Sequence, residues 1–165
     1  MQSLANPPYS LYNVPMDRVF QFRDAVNDDW ELLLSWRNDP LTRIHSFSHE
    51  EIDAERHRSW LSEKLQDPGC RIVIISLNGT PVGVLRLDCI GSSATINYTV
   101  APEARGKGCG TYIVGLAEKI APECISVLEG TVLSDNPASQ RCFARNGYQS
   151  VTHGDTCIFR KTIRS

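Results

Sequence analysis

The sequence predicts a mixed α/β (α+β) fold in a single domain. Three observations predict it: apolar residues change from helical to strand spacing and back along the chain, the segments follow the order β-α-α-β-β-β-α-β-α-β-β, and 165 residues is the size of one ordinary domain. No internal repeat interrupts that order. With 41% hydrophobic and 22% charged residues, the composition is that of a soluble globular protein rather than a disordered or fibrous one. A formal charge of −2 lacks the basic surplus of a general nucleic-acid binder, while leaving room for small anions bound locally.

Residues 1–17, with Pro7, Pro8 and Pro15 among small and polar neighbours, read as an irregular N-terminal arm, and 18–165 as the domain. Arg18 to Asp24 alternates as a first strand. From Asp28 a helix carries Trp30, Leu33, Leu34 and Trp36 until Asp39-Pro40 stops it. Ser48, Glu50 and Glu51 open a second helix with Ile52, Trp60, Leu61 and Leu65 on its apolar face, a polar interval between Ile52 and Trp60, and an end at Asp67-Pro68-Gly69. Three strands follow as a meander: Arg71 to Leu77, the Asn78-Gly79 turn, Pro81 to Ile90, and Ala94 to Val100. Helical spacing returns over Gly108 to Ile120, a strand spans Ile125 to Leu133, a helix spans Pro137 to Asn146, and Tyr148–Thr152 with Cys157–Lys161 close the chain as a hairpin.

Six cysteines are spread along the chain with no CxxC pair and no histidine at ligand spacing, so they read as reduced, buried thiols and not as a metal site. No basic segment followed by an apolar run opens the chain, and no run approaches the roughly 20 apolar residues of a membrane span. The expectation is a cytoplasmic protein, monomer or homodimer, without metal, membrane or nucleic-acid partner.

The most informative segment runs from Val100 to Thr111. Gly106, Gly108 and Gly110 alternate just before the helical pattern of Tyr112, Ile113, Leu116, Ala117 and Ile120. A helix start presents unpaired N–H groups and a partial positive charge, so this turn suits phosphate oxygens, and Arg105 and Lys107 add formal charge. It is not a P-loop, because no Lys-Ser or Lys-Thr pair follows a glycine at the required spacing. It is not the dinucleotide fingerprint either, because Ile113 stands where the third glycine belongs. The bland alternative is a helix-initiating loop whose glycines serve only the turn.

Arg105-x-x-Gly108-x-Gly110 after a strand ending in Val100 resembles the acyl-CoA pyrophosphate loop of the GNAT acetyltransferase superfamily. Asn136-x-x-Ser139-x-x-x-Phe143-x-x-x-Gly147-Tyr148 resembles that superfamily's segment over the pantetheine arm, and the likeness covers about residues 18 to 163. The resemblance implies a mostly antiparallel sheet of six to seven strands, splayed at the acyl-CoA site, with about four helices on its two faces. It implies acetyl-CoA as co-substrate, with the pantetheine pairing beside Val100. Backbone N–H groups from Arg105 through Gly106, Lys107, Gly108, Cys109 and Gly110 to Thr111 would hold the pyrophosphate, with Asn136, Ser139 and Phe143 along the arm. Asn136 also suits a helix N-cap.

Within the superfamily the chain is similar to bacterial enzymes acetylating amino-sugar nucleotides, as in the pseudaminic and legionaminic acid pathways. The residues are Trp36-Arg37-Asn38-Asp39-Pro40, His57-x-x-Trp60 and Arg86-x-Asp88. Protein N-terminal and aminoglycoside acetyltransferases are the alternatives. Arg37, His57 and Arg86 are the candidate acceptor-binding residues, against their alternative as surface charges. Period-2 geometry sets Arg86 and Asp88 on one strand face and Thr95, Asn97 and Thr99 on one face of the next, forming a polar floor if the register joins them.

The chemistry needs a neutral primary amine against the thioester carbonyl and a route for its proton. Asp88 and Glu129 are the candidate bases, direct or through water. Many superfamily members carry a tyrosine where Phe143 stands, whose hydroxyl serves the departing thiolate, and some carry an acid where Thr95 stands. Water, Ser139 or Tyr98 would then take the tyrosine's role. A module that binds acyl-CoA with weak catalysis is the competing class.

Overall fold

The computed structural model describes residues 17–165, so the predicted arm lies outside the described residues except for Asp17. Seven strands form one sheet: β1 (Phe20–Asp24), β2 (Cys70–Leu77), β3 (Thr80–Ile90), β4 (Ser93–Val100), β5 (Val127–Leu133), β6 (Gln149–His153) and β7 (Thr156–Thr162). Their order is β1-β2-β3-β4-β5-β7-β6, antiparallel except for the parallel pair β4–β5. Five helices accompany it: α1 (Trp30–Arg37), α2 (Pro40–Ile44), α3 (Ala54–Gln66), α4 (Cys109–Ile120) and α5 (Pro137–Arg145).

The strand pattern follows burial. Ile72, Val73, Ile74 and Ile75 are all buried, because β2 lies inside the sheet with helices over both faces, and such a strand reads as an unbroken apolar run. β6, at the edge, is exposed along its whole length. Asn78 and Gly79 have φ of 51° and 83°, the left-handed pair that a two-residue hairpin turn between β2 and β3 requires.

Alternation on β3 assigns the faces. A Cβ on Gly83 would meet Ile113 of α4, whereas Asp88, of opposite parity, pairs with Lys64 of α3. Leu85 and Leu87 therefore pack with Ile113 and Val114 on the α4 side, while Ile72, Leu33, Trp36 and Leu61 fill the α1/α3 side.

Three expectations are corrected. Asp39-Pro40 ends α1 but also starts α2: Asp39 accepts hydrogen bonds from the N–H groups of Leu41 and Thr42, and Pro40 occupies the first helical position, where its missing N–H costs nothing. The next helix does not open at Ser48. It begins at Ala54 behind an Asp53 cap and runs unbroken to Gln66, and Asn38 clasps the backbone of Ile52 at both N–H (2.9 Å) and C=O (2.7 Å), which keeps the preceding segment out of the helix. The cysteines are all free, but only Cys109 and Cys157 are buried; Cys70, Cys89 and Cys142 are half-buried and Cys124 is exposed at a loop.

Candidate active site

β4 and β5 pair only from Ser93–Thr95 to Val127–Glu129. Beyond that row β4 continues to Val100 and β5 to Leu133 without pairing, so the sheet opens like a V. A cavity of about 1050 Å³ fills the opening and extends from the Gly106–Thr111 loop to the wall made by α1, α2 and α3.

At the loop, Gly106 and Gly108 adopt φ of 73° and 79°, a backbone that side-chain-bearing residues rarely take, and Gly108 caps α4. Gly110 serves closeness: a Cβ there would stand 2.9 Å from Cys142 Sγ of α5. The N–H groups of the first turn of α4 have no intrahelical carbonyl to reach, and they open onto the cavity through Gly108, Cys109, Gly110 and Thr111. Arg18 braces the loop by donating to the Lys107 carbonyl, and its guanidinium covers Phe20, which stacks on Tyr112 at 3.8 Å. The side chain of Lys107 is exposed and does not line the cavity. Arg105 lines it but is engaged: Nη2 donates to Asp39 Oδ2 (2.5 Å) and Thr42 Oγ1 (3.0 Å), tying α2 to the loop. That pairing holds the Asp39 carboxyl below its ordinary range.

The Trp36 to Pro40 run folds the opposite wall. Trp36 is core, Arg37 Nη2 donates to the Ser48 carbonyl (3.0 Å), Asn38 holds Ile52, and Asp39 caps α2. Arg37 and His57 line the cavity, and Arg37 Nη1 and His57 Nε2 are buried with no hydrogen-bond partner. Burial first, then the nearby Arg37 charge, lowers the His57 pKa, so its imidazole is neutral near pH 7.

The register joins the polar faces: Arg86 stands opposite Asn97, and Asp88 opposite Thr95, which in turn neighbours Glu129. Asp88 is fully engaged, accepting from Lys64 Nζ (3.1 Å), Arg86 Nε (2.9 Å) and Asn97 Nδ2 (3.2 Å). Burial alone would raise its pKa, but Arg86 and Lys64 outweigh it and hold the carboxyl below the usual value. Arg86, its guanidinium 5.3 Å from the Trp60 ring, and Asn97 line the cavity, while Asp88 lies behind them. Glu129 sits half-buried at the apex of the V, forms no ion pair among the described residues, and lies one row (about 7 Å) from Thr131 of the cavity wall.

On α5, Asn136 is the N-cap, accepting from the Ser139 N–H at 3.3 Å. Phe143 is 1% exposed and packs between Phe159, Tyr148 and Tyr98. Its Cζ is 2.4 Å from where a Cβ on Gly130 would stand, so β5 needs glycine there. Tyr98 Oη and Ser139 Oγ are in hydrogen-bond contact at 2.7 Å.

Sequence reasoning missed the Asp39–Arg105 pair, the Lys64 contact with Asp88, and Arg56, Glu50 and Glu51 on the cavity wall. None has a short-range signal, since 66 residues separate Asp39 from Arg105.

A sheet parted between β4 and β5, with a glycine-built helix start at one end of the opening, is an acetyltransferase architecture. Residues 20–149 match the acetyltransferase (GNAT) domain family, and the chain belongs to it. A segment of 67 residues, 40% of this chain, is 36% identical to L-2,4-diaminobutyric acid acetyltransferase of Nocardia farcinica, of whose length it spans about a third (35%). Similar folds include a ribosomal-protein-alanine N-acetyltransferase from Brucella melitensis (TM-score 0.73, 20% identity, 86% of this chain and 99% of that one). Another is spermidine N-acetyltransferase from Vibrio cholerae in complex with CoA and spermine (TM-score 0.75, 15% identity, 86% and 92%).

Proposed function

We propose that this chain transfers an acetyl group from acetyl-CoA to the primary amine of a small acceptor, and that the acceptor is an amino-sugar nucleotide. The observation that carries the transfer is the single cavity joining the first turn of α4, an anion seat, to the V between β4 and β5 and on to a polar wall. Pyrophosphate at Gly106–Thr111 and pantetheine along the free edge of β4 would bring the thioester to the apex near Asn97 and Thr131.

The acceptor reading rests on the wall's charge. Arg37, Arg56 and Arg86 line it against the two exposed carboxylates Glu50 and Glu51, a poor setting for a polycation. The free Arg37 Nη1 donor and His57 Nε2 favour an acceptor rich in hydroxyl and phosphate oxygens. A second reading, a diamino acid, is favoured by the Nocardia relative, whose acceptor carries a carboxylate for the same arginines.

Glu129 is the proposed base, reaching the amine through water, and Asp88 fixes Arg86 and Asn97. Glu129→Gln should lower kcat by about 10²–10⁴-fold with little change in acceptor KM. Asp88→Asn should mainly raise acceptor KM, because it releases Arg86. Equal kcat losses in both would reject this division.

Calorimetric titration with acetyl-CoA comes first, and no binding at millimolar cofactor would sink the transferase reading. Thiol release is then measured with UDP-amino-sugars, diaminobutyrate, spermidine, aminoglycosides and N-terminal peptides. The sugar nucleotides should give the highest kcat/KM and spermidine the lowest; activity on peptides alone rejects the sugar proposal. Binding without thiol release on the whole panel would leave a binding module.

A further inference from the structure

The ion pair between Asp39 and Arg105 joins two parts of the cavity that serve different substrates. Arg105 stands beside Gly106 and Gly108, at the pyrophosphate end, and Asp39 caps α2 in the acceptor wall. No residue of α2 is buried, and Leu41 and Ile44 are 44% and 55% exposed, so apolar packing does little to place this five-residue helix. Polar ties place it instead. Arg43 donates to the His49 carbonyl (3.1 Å) and Ser46 Oγ to the Thr42 carbonyl (2.6 Å), but those partners belong to the same stretch of chain. Among the described residues, the side-chain hydrogen bonds that connect 39–44 to the loop before α4 are those from Arg105 Nη2 to Asp39 Oδ2 (2.5 Å) and Thr42 Oγ1 (3.0 Å). Leu41 and Thr42 line the cavity, and His45, Ser46 and Phe47 continue the wall from the end of the helix.

We propose that Asp39 is a positioning residue that acts on both substrates through Arg105: it clamps α2 in the place the acceptor needs, and its charge offsets the guanidinium beside the coenzyme A pyrophosphate. The proposal rests on the acetyl-transfer reading above. An anion bound at the loop meets an arginine whose charge is already opposed by a carboxylate in direct contact, so Arg105 attracts it less than a free guanidinium would. Cofactor affinity is given up for a fixed acceptor wall. The two effects have opposite signs when the carboxylate is neutralised, because the arginine is released toward the anion while α2 loses its tie. Removing the arginine instead weakens both ends. A residue that served only to cap α2 would leave the cofactor end untouched.

The test compares the wild type with Asp39→Asn, which keeps an oxygen for the α2 cap, and Arg105→Gln, which leaves that cap intact. Calorimetric titration with coenzyme A reads the cofactor end, and KM for a UDP-amino-sugar reads the acceptor end. Amide hydrogen exchange over 41–45, followed by mass spectrometry in the free proteins, reads the clamp without any acceptor. Coenzyme A should bind about two- to fivefold more tightly to Asp39→Asn and at least as much more weakly to Arg105→Gln. The acceptor KM should rise roughly three- to tenfold in both, with kcat within about threefold of the wild type. Exchange over 41–45 should be about three- to tenfold faster in Arg105→Gln. Unchanged or weaker coenzyme A binding by Asp39→Asn overturns the proposal, as does wild-type exchange over 41–45 in Arg105→Gln. Wild-type protein that binds coenzyme A but does not acetylate the UDP-amino-sugar overturns the acceptor reading alone, and calorimetry and exchange still decide the clamp. Failure of the wild type to bind coenzyme A overturns the acetyl-transfer reading and this proposal with it.

Discussion

Replacing Phe143 by tyrosine would restore the residue type that many superfamily members carry, and the structure predicts that it harms this protein. The ring is 1% exposed, stacks on Phe159 at 5.1 Å between centroids, and points its para carbon at the Gly130 backbone. A para-hydroxyl must displace β5 or pull the ring off Phe159. Overpacking costs about 1–3 kcal/mol, and the variant should lose that much. For a chain of this size that lowers Tm by about 2–12 °C. Thermal and urea unfolding measure the loss, and thiol release measures kcat, which should not rise. An unchanged Tm together with a higher kcat would refute the reasoning, since it would mean that the hydroxyl has a clear path to the thioester.

Gly130→Ala tests the same contact from the strand, and should likewise destabilise, with partial recovery when Phe143→Leu makes room; urea midpoints report both. Asp39→Asn keeps an oxygen for the Leu41 and Thr42 N–H groups but removes the charge facing Arg105. Because that pair is half-exposed, stability should change by less than about 1 kcal/mol, while calorimetry should show tighter coenzyme A binding as Arg105 is freed. Stability should also depend on pH through His57. Its folded pKa lies below the unfolded 6.5, so the unfolded state binds the proton first, and stability falls as pH drops below that value; His57→Gln should flatten this limb in urea titrations. Asp29, held low by its hydrogen bonds with Arg23, and Asp39, held low by Arg105, add a separate loss only below about pH 4, as pH falls through their folded pKa values.

Much of the fold was legible because its signals are local. The three-strand meander, the Asn78-Gly79 turn, the loop-to-helix junction at Gly108 and the Asn136 cap each depend on residues within a few positions of one another. The start of α3 was not legible, because Asn38 occupies the backbone of Ile52 from 14 residues away, whereas α2 was missed although its signal, the Asp39 cap followed by Pro40, is local. Trp36 to Pro40 illustrates the limit: the residues were visible, but what they do is to fold the 45–53 segment and link α2 to Arg105.

The sequence by itself determined the order of elements and the glycine-rich helix start, since spacing, turn chemistry and left-handed backbone positions are properties of short stretches. Only the tertiary structure decided what each polar group is free to do. Asp88 is spent on Lys64, Arg86 and Asn97, Arg105 on Asp39, and Tyr98 on Ser139. Glu129 is left without an ion pair among the described residues, at the apex where β4 and β5 part. The reason is that hydrogen bonds and charge pairs act over a few ångströms in space, and the chain brings those partners together from positions up to 66 residues apart.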